Sequence, residues 1–208
     1  MIPRMSRPQI LVRVLAGSGA AAVLLVVSGS PAAQSSEAAG ALQQTLFPAE
    51  TAKAEQAMNE LQLALLAKLK TTMESGGPAA AVEVCRTEAR TIADAVAKKQ
   101  GIELGRTSHR LRNPSNAPRP WARAIVEGSA GVRSAAERIR VVDLGARVGV
   151  LRPIGTADMC TRCHGAEDEV RRNIGAALAA AYPEDRATGF APGDLRGWMW
   201  AEVPKGVK

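Results

Sequence analysis

A five-residue motif constrains this chain more than any other feature. Residues 160–164 read Cys-Thr-Arg-Cys-His, the pattern C-x-x-C-H. On one helical turn, positions i, i+3 and i+4 lie on the same side, so both thiols and the imidazole face one way. This spacing is the signature of c-type haem attachment, in which two thiols form thioethers with the haem vinyl groups. The motif therefore predicts one covalent haem c, attached through Cys160 and Cys163, with His164 as an iron ligand.

Other uses of a C-x-x-C pair fit this chain less well. A zinc site needs a fourth ligand, and the remaining Cys and His residues, Cys85 and His109, match no ribbon or finger spacing. A thioredoxin-like dithiol needs a βαβ unit before the motif, and the sequence pattern shows none. Aromatic residues make up only 3% of the chain, which leaves room for a bulky cofactor in the core.

The N-terminal segment has the three regions of a secretory signal peptide. Arg4, Arg7 and Arg13 come before an apolar stretch over 14–27, and small residues follow it. The stretch is shorter than the roughly 20 residues of a membrane-spanning helix. We therefore predict a signal peptide over 1–33, a linker over 34–48 and one periplasmic domain over 49–208. After cleavage no integral membrane domain remains, whereas an uncleaved leader would serve as an N-terminal membrane anchor.

Charge and motif content exclude two further classes of protein. The net charge of +7 includes the three leader arginines, and the chain has no clustered lysines interleaved with aromatic residues. Such clusters are typical of nucleic-acid surfaces, so we expect no nucleic-acid partner. The sequence shows no carboxylate pair, Ser-His-Asp set or phosphate loop, and we expect no enzymatic activity.

Hydrophobic periodicity predicts an α+β domain with N-terminal helices and an antiparallel sheet. The first helix spans 51–75 and is stopped by Gly76, Gly77 and Pro78, and the second runs from Pro78 to Gly101. The later elements are a strand continuing from Ile102 towards Leu111, a proline-rich loop over 113–120, a short helix over 121–127, a hairpin of strands 138–144 and 147–154, a helix over 168–181 and a strand over 198–203.

The residue that completes the coordination of the iron is not fixed by this pattern. Cys85 lies on the apolar face of the second predicted helix, a place equally natural for a small buried hydrophobic side chain. His109 lies where the strand meets the loop, a place equally natural for an exposed polar side chain. The methionines Met58, Met73 and Met199 fit the core, and Met159 is too close to the attachment site to reach the other haem face. Hydrophobic periodicity therefore favours neither Cys85 nor His109 as the second iron ligand.

Four blocks of sequence resemble a family of single-haem c-type domains with a PAS-like fold, which also occur as the sensory part of histidine kinases. The blocks are residues 82–85, residues 105–118, the C-x-x-C-H motif, and a C-terminal block that contains Tyr182, Pro183, Asp185, Ala187, Thr188, Gly189, Gly193, Asp194, Arg196 and Gly197. The resemblance covers most of residues 50–205.

The resemblance implies a PAS-like antiparallel sheet and iron ligated by His164 and Cys85. His109 departs from the family, which more often has an apolar or neutral residue there, and it stays an alternative to Cys85. A thiolate opposite an imidazole stabilises ferric iron, so the reduction potential should be low. Arg106, Arg110 and Arg112 are candidates to bind the haem propionates through charge-assisted hydrogen bonds, and Arg106 and Arg112 are the predicted partners. A solvated basic strand edge is an equally natural place for these arginines.

Two functions follow from these expectations. The kinase fusions of the family favour a redox or gas sensor in which Cys85 leaves the iron on reduction and opens a site for a diatomic gas. The chain contains no kinase, so a signal would pass to a separate protein partner. The alternative is a periplasmic electron-transfer cytochrome with a redox partner.

Overall fold

The computed structural model describes residues 46–206. The predicted signal peptide over 1–33 and nearly all of the linker lie outside the described residues. The helices are α1 (Pro48–Thr87), α2 (Ala89–Gln100), α3 (Arg123–Gly128), α4 (Thr161–His164) and α5 (Glu167–Ala181). The strands are β1 (Glu103–Thr107), β2 (Arg140–Asp143), β3 (Arg147–Gly155) and β4 (Leu195–Pro204).

Helix α1 consists of two helical segments that meet in a sharp kink at the predicted stop signal. Gly77 has φ 72° and ψ −176°, a left-handed backbone that glycine adopts without strain, and Pro78 follows it. The second half of α1 and all of α2 return antiparallel to the first half, with Lys68 Nζ 2.8 Å from Glu88 Oε2. The second predicted helix is divided at Glu88, so Cys85 belongs to the last turn of α1.

The four strands form one antiparallel sheet in the order β1-β4-β3-β2. Strands β2 and β3 form the predicted hairpin, in which Gly145 has φ 80°. Strand β1 ends at Thr107, whereas the sequence predicted its continuation towards Leu111. The Ser108 hydroxyl explains this end, because it donates to the Arg196 carbonyl oxygen (2.7 Å) and accepts from the Arg110 N–H (3.1 Å). Local bonds of this kind replace the regular strand ladder.

Each face of the sheet carries its own hydrophobic cluster. The helix pair α1 and α2 covers one face, where Leu61 of α1 and Val96 of α2 lie in one cluster with Val150 and Met199 of the sheet. The other face is covered by α3, whose Val126 lies in a cluster with Leu151 and Trp198. The α+β architecture with N-terminal helices and an antiparallel sheet is confirmed. Met58 and Met199 are core residues as predicted, at 0% and 3% exposed.

No helix within residues 46–206 is long and apolar enough to cross a membrane.

Helix α1 offers a matched test of this packing. Two of its leucines, two positions apart in the chain, lie on opposite sides of the helix, one buried and one exposed. Leu61 is 0% exposed and Leu63 is 69% exposed. We expect Leu61→Ala to lower the free energy of unfolding by about 2–5 kcal/mol, since it removes methyl groups from a packed core. The same substitution at Leu63 should change it by less than about 0.5 kcal/mol. Urea denaturation of both variants measures the difference; equal losses would show that α1 does not pack on the sheet through this face.

Candidate haem site

The C-x-x-C-H motif forms the helical turn that its spacing predicted. A 3₁₀ turn over Asp158–Cys160 leads directly into α4, and the Gly165 N–H closes the turn on the Thr161 carbonyl oxygen at 2.8 Å. Cys160 and Cys163 are both free thiols and both half-buried. The turn therefore presents two unpaired thiols next to the imidazole of His164.

The His164 imidazole is held in one tautomer by a backbone carbonyl. Its Nδ1 lies 2.7 Å from the carbonyl oxygen of Ala187. A carbonyl oxygen only accepts, so Nδ1 carries the proton and Nε2 keeps its lone pair. Burial lowers the pKa of His164 well below its usual value, and the nearby Arg196 and Arg112 lower it further. The result is a neutral, oriented imidazole, which is the form that ligates metals.

A buried ion pair fixes the carbonyl that orients His164. The Arg112 guanidinium bonds the Asp185 carboxylate through Nε (3.1 Å) and Nη2 (3.0 Å), and both side chains are about nine-tenths buried. The same Nη2 donates to the carbonyl oxygens of Cys163 (2.6 Å) and Ala187 (3.4 Å). Asp185 Oδ1 accepts the Ala187 N–H at 2.8 Å. Arg112 therefore joins the motif turn to the segment that positions His164.

The segment after α5 is also bonded along the motif through its backbone. The Phe190 N–H donates to the His164 carbonyl oxygen at 2.9 Å, and the Gly189 N–H donates to that of Gly165 at 2.6 Å. The Arg186 N–H donates to the Leu111 carbonyl oxygen at 2.9 Å, on the other side of the segment. Residues 182–190 thus lie between the motif and the chain that follows β1.

Cys85 reaches this region from the last turn of α1. Val82, one turn earlier, packs with Val170, Ile174 and Tyr182, and Cys163 borders the same cluster. Burial raises the pKa of the Cys85 thiol, while Arg106, Arg112 and Arg196 act in the opposite direction. Burial, followed by the charge on Cys85, raises the pKa of Tyr182 to about 12. Cys85 therefore lies in the electrostatic surroundings of the motif, as its predicted role requires.

The two predicted propionate partners differ in what they contact. Arg112 is bonded to Asp185 and to two carbonyl oxygens, so it has a structural role within the protein. Arg106 lies on β1 opposite Met199, and its guanidinium is within electrostatic range of Cys85 and Tyr182. Sequence reasoning missed Arg196 of β4 as a site residue. The only signal for it was its place in the C-terminal block of the family resemblance.

His109 lies two residues beyond the end of β1. It is not the exposed polar side chain that the sequence allowed as an alternative. It is half-buried and packs edge-on against Phe190, with the ring centroids 5.9 Å apart. It lines an open cleft of about 450 Å³ together with Arg110, Glu127, Ala130 and Gly131. Burial lowers the pKa of His109, and the positive charges of Arg110 and Arg196 act in the same direction. His109 is therefore a neutral imidazole packed against Phe190 at the edge of this cleft.

The donor groups of this region fit a covalently attached haem. Two free thiols on one turn suit attachment to two vinyl groups, and a neutral imidazole on the same turn has its Nε2 available to iron. A third thiol lies in the same electrostatic environment. Among residues 46–206, no three His, Cys, Asp or Glu side chains are grouped so as to hold a bare metal ion.

Comparisons with known proteins bear on family and fold. A family model described as Tll0287-like matches residues 33–204. The crystal structure of the cyanobacterial haem protein Tll0287 is similar at 24% sequence identity and a TM-score of 0.59, covering 77% of this chain and 98% of that one. At this identity the likeness establishes a shared fold. No curated protein matches the chain.

The Arg112–Asp185 pair should be necessary for the geometry at His164. We expect Asp185→Ala to cost about 3–5 kcal/mol of unfolding free energy, because it leaves a buried guanidinium without its counter-charge. The control is Glu167→Ala, which removes the partner of Arg171 in an exposed pair (66% and 68% exposed). That pair should contribute at most about 1 kcal/mol. Chemical denaturation measures both, and a loss at Asp185 no larger than at Glu167 would contradict the assigned role.

Proposed function

The chain belongs to the Tll0287-like family, and from this premise we propose that it is an exported c-type haem protein with His/Cys-ligated iron that acts as a redox or gas sensor. One observation supports this most strongly. The His164 imidazole bonds the Ala187 carbonyl through Nδ1 (2.7 Å), which leaves Nε2 free on the same turn as two free thiols. The name of the similar solved protein, a haem protein, agrees with the proposal.

In this proposal Cys160 and Cys163 attach one haem. Each thiol adds across a vinyl C=C bond, so that sulfur bonds one carbon and the thiol hydrogen passes to the other. The addition is redox-neutral and needs no oxidant. Both thiols are unpaired, as this chemistry requires. The bound haem supplies one-electron redox chemistry and a coordination position for a small diatomic ligand.

His164 and Cys85 are the proposed axial ligands, with His109 as the alternative to Cys85. Burial alone raises the pKa of the Cys85 thiol, which favours the neutral form. Iron binding would supply a positive charge directly at sulfur and favour the thiolate. The three arginines around Cys85 act in the same direction. His109 has a buried Nδ1 without a hydrogen-bond partner among the described residues, so it keeps a free donor or acceptor in the same half of the domain.

The sensing role follows from the contrast between the two axial ligands. The carbonyl of Ala187 and the Arg112–Asp185 pair hold His164 in place through bonds to the loop after α5. Cys85 is supplied by a helix end that follows the bend at Gly77, and no hydrogen bond orients its side chain among the described residues. Because Fe(II) binds thiolate less strongly than Fe(III) does, Cys85 is the ligand that can leave on reduction. The signal would then pass to a redox or signalling protein partner in the periplasm.

Electron paramagnetic resonance of the ferric holoprotein tests the ligand pair. In protein matured with covalent haem, checked by its pyridine haemochrome spectrum, we expect a low-spin signal with the narrow g-spread of thiolate ligation. Cys85→Ser should abolish that signal while keeping the haem attached, because Cys160 and Cys163 are unchanged. His109→Ala is the matched control and should leave the signal as it is. Loss of the signal in His109→Ala, with retention in Cys85→Ser, would assign the second ligand to His109.

Reduction under carbon monoxide tests the sensing role. We expect the dithionite-reduced protein to bind CO, with an optical change that reverses when CO is removed, because Cys85 vacates its position on the iron. Cys85→Ser should bind CO more readily than the wild type, since its ligand is already absent. If the reduced protein stays six-coordinate, binds no CO and can be oxidised and reduced reversibly, the sensing role is wrong. That result would support the electron-transfer cytochrome.

A further inference from the structure

We propose that Arg196 and Arg106 form the binding site for the haem propionate carboxylates, and that Arg112 takes no part in it. The inference rests on the proposed function, since it needs a bound haem. It assigns a recognition role to Arg196, and it separates two arginines that the sequence had grouped together.

Arg196 has a hydrogen-bonding edge that the protein does not use. Its Nη1 donates to Ser108 Oγ (3.1 Å) and to the Arg110 carbonyl oxygen (3.4 Å). Its Nε is fully buried and has no hydrogen-bond partner among the described residues. A buried N–H without a partner costs about 1–3 kcal/mol, so this group needs a partner that the described residues do not supply. A guanidinium edge fits a carboxylate, which it can bind through two parallel hydrogen bonds.

The position of Arg196 is fixed before any ligand arrives. The Ser108 hydroxyl holds one end of the guanidinium, and the Phe190 ring centroid lies 5.2 Å from its Cζ atom. Phe190 is bonded through its N–H to the His164 carbonyl oxygen (2.9 Å), so the cation stands beside the residue that ligates iron. Preorganisation of this kind lowers the entropic cost of binding.

Arg106 has a different relation to the protein from that of Arg112. Its side chain shows no hydrogen bond or ion pair to any residue in the described part of the chain, whereas the Arg112 side chain is bonded to Asp185, Cys163 and Ala187. Burial lowers the pKa of Arg106, while Cys85 and Tyr182 oppose that effect. Arg106 is thus a largely desolvated cation, and no carboxylate within residues 46–206 supplies its counter-charge.

The charge balance of the region calls for two negative charges. Arg106, Arg112 and Arg196 surround Cys85, and Asp185 is the carboxylate that pairs with one of them. Burial, together with the positive charges of Arg112 and Arg106, lowers the pKa of Arg196 to about 9. Buried charge is stable only when paired. Of these three arginines, Arg106 and Arg196 have no carboxylate partner among the described residues.

A haem supplies that number of charges. Ferric iron, the porphyrin dianion and a Cys85 thiolate sum to zero, which leaves the two propionates as the net charge of the bound group. The unpaired cations are Arg106 and Arg196, so each has one carboxylate to bind. A free anion such as acetate has the same chemistry, and the test separates the two sources.

Redox-difference infrared spectroscopy with isotope-labelled haem tests the assignment. Cells supplied with 5-aminolevulinate carrying ¹³C in its carboxyl group make haem labelled only at the propionate carboxyl carbons. In the wild-type holoprotein we expect isotope-sensitive carboxylate bands. Arg196→Gln and Arg106→Gln should each shift these bands, because the carboxylate loses a charge-assisted hydrogen bond. Arg172→Gln, at an exposed position on α5, is the control and should leave them unchanged.

The outcomes separate this inference from the proposed function. Isotope-sensitive bands that are the same in the wild type, Arg196→Gln and Arg106→Gln would overturn the inference while leaving the haem assignment intact. Bands that respond to Arg196 without any isotope shift would show that a free or protein carboxylate binds there, which also overturns it. Absence of covalent haem by pyridine haemochrome would overturn the proposed function itself.

Two further variants keep the test decisive. If Arg196→Gln does not accumulate as holoprotein, Arg196→Lys keeps the charge and loses the planar edge, so its labelled bands should still shift. Arg112→Lys keeps the charge beside Asp185, so the labelled bands should shift less in this variant than in Arg196→Lys. A shift in Arg112→Lys as large as in Arg196→Lys would return Arg112 to the propionate site.

Discussion

The ion pair between Arg112 and Asp185 is the interaction on which the rest of this region depends. It joins three pieces of chain that are far apart in sequence: the segment after β1, the turn that carries the motif, and the loop after α5. Because both side chains are about nine-tenths buried, neither can lose the other without leaving an uncompensated charge. The pair therefore holds the Ala187 carbonyl in place, and through it the tautomer of His164.

The sheet sets where the other cations lie. Arg106 pairs across β1 and β4 with Met199, and Ser108 bonds the backbone and the side chain of Arg196 at the point where β1 ends. Antiparallel pairing thus brings two arginines, separated by 90 positions in the chain, to the same end of the sheet as Cys85. Each buried cation costs free energy, and in the proposed function the haem propionates offset that cost at Arg106 and Arg196.

Much of the architecture was predictable because it depends on local signals. The bend at Gly77 followed from a Gly-Gly-Pro sequence, the β2–β3 hairpin from a glycine between two β-rich stretches, and α5 from its helical periodicity. One error occurred where a long-range contact overrode the local pattern. Strand β1 stops at Thr107 because the Ser108 hydroxyl bonds the neighbouring strand β4, and no local propensity encodes that contact. The predicted single helix from Pro78 to Gly101 is also divided, at Glu88.

The sequence by itself determined the chemistry of the site: two thiols and an imidazole on one helical turn, from spacing alone, and Cys85 as a candidate ligand on a helix face. Only the tertiary structure decided which arginine does what. Arg106 and Arg112 look alike in sequence, and Arg196 stands in another block of the chain. In the folded chain Arg112 pairs with the carboxylate of Asp185, whereas Arg106 and Arg196 have no carboxylate partner among the described residues. Such pairing depends on which residues are neighbours in space, and the order of residues in the chain does not specify that.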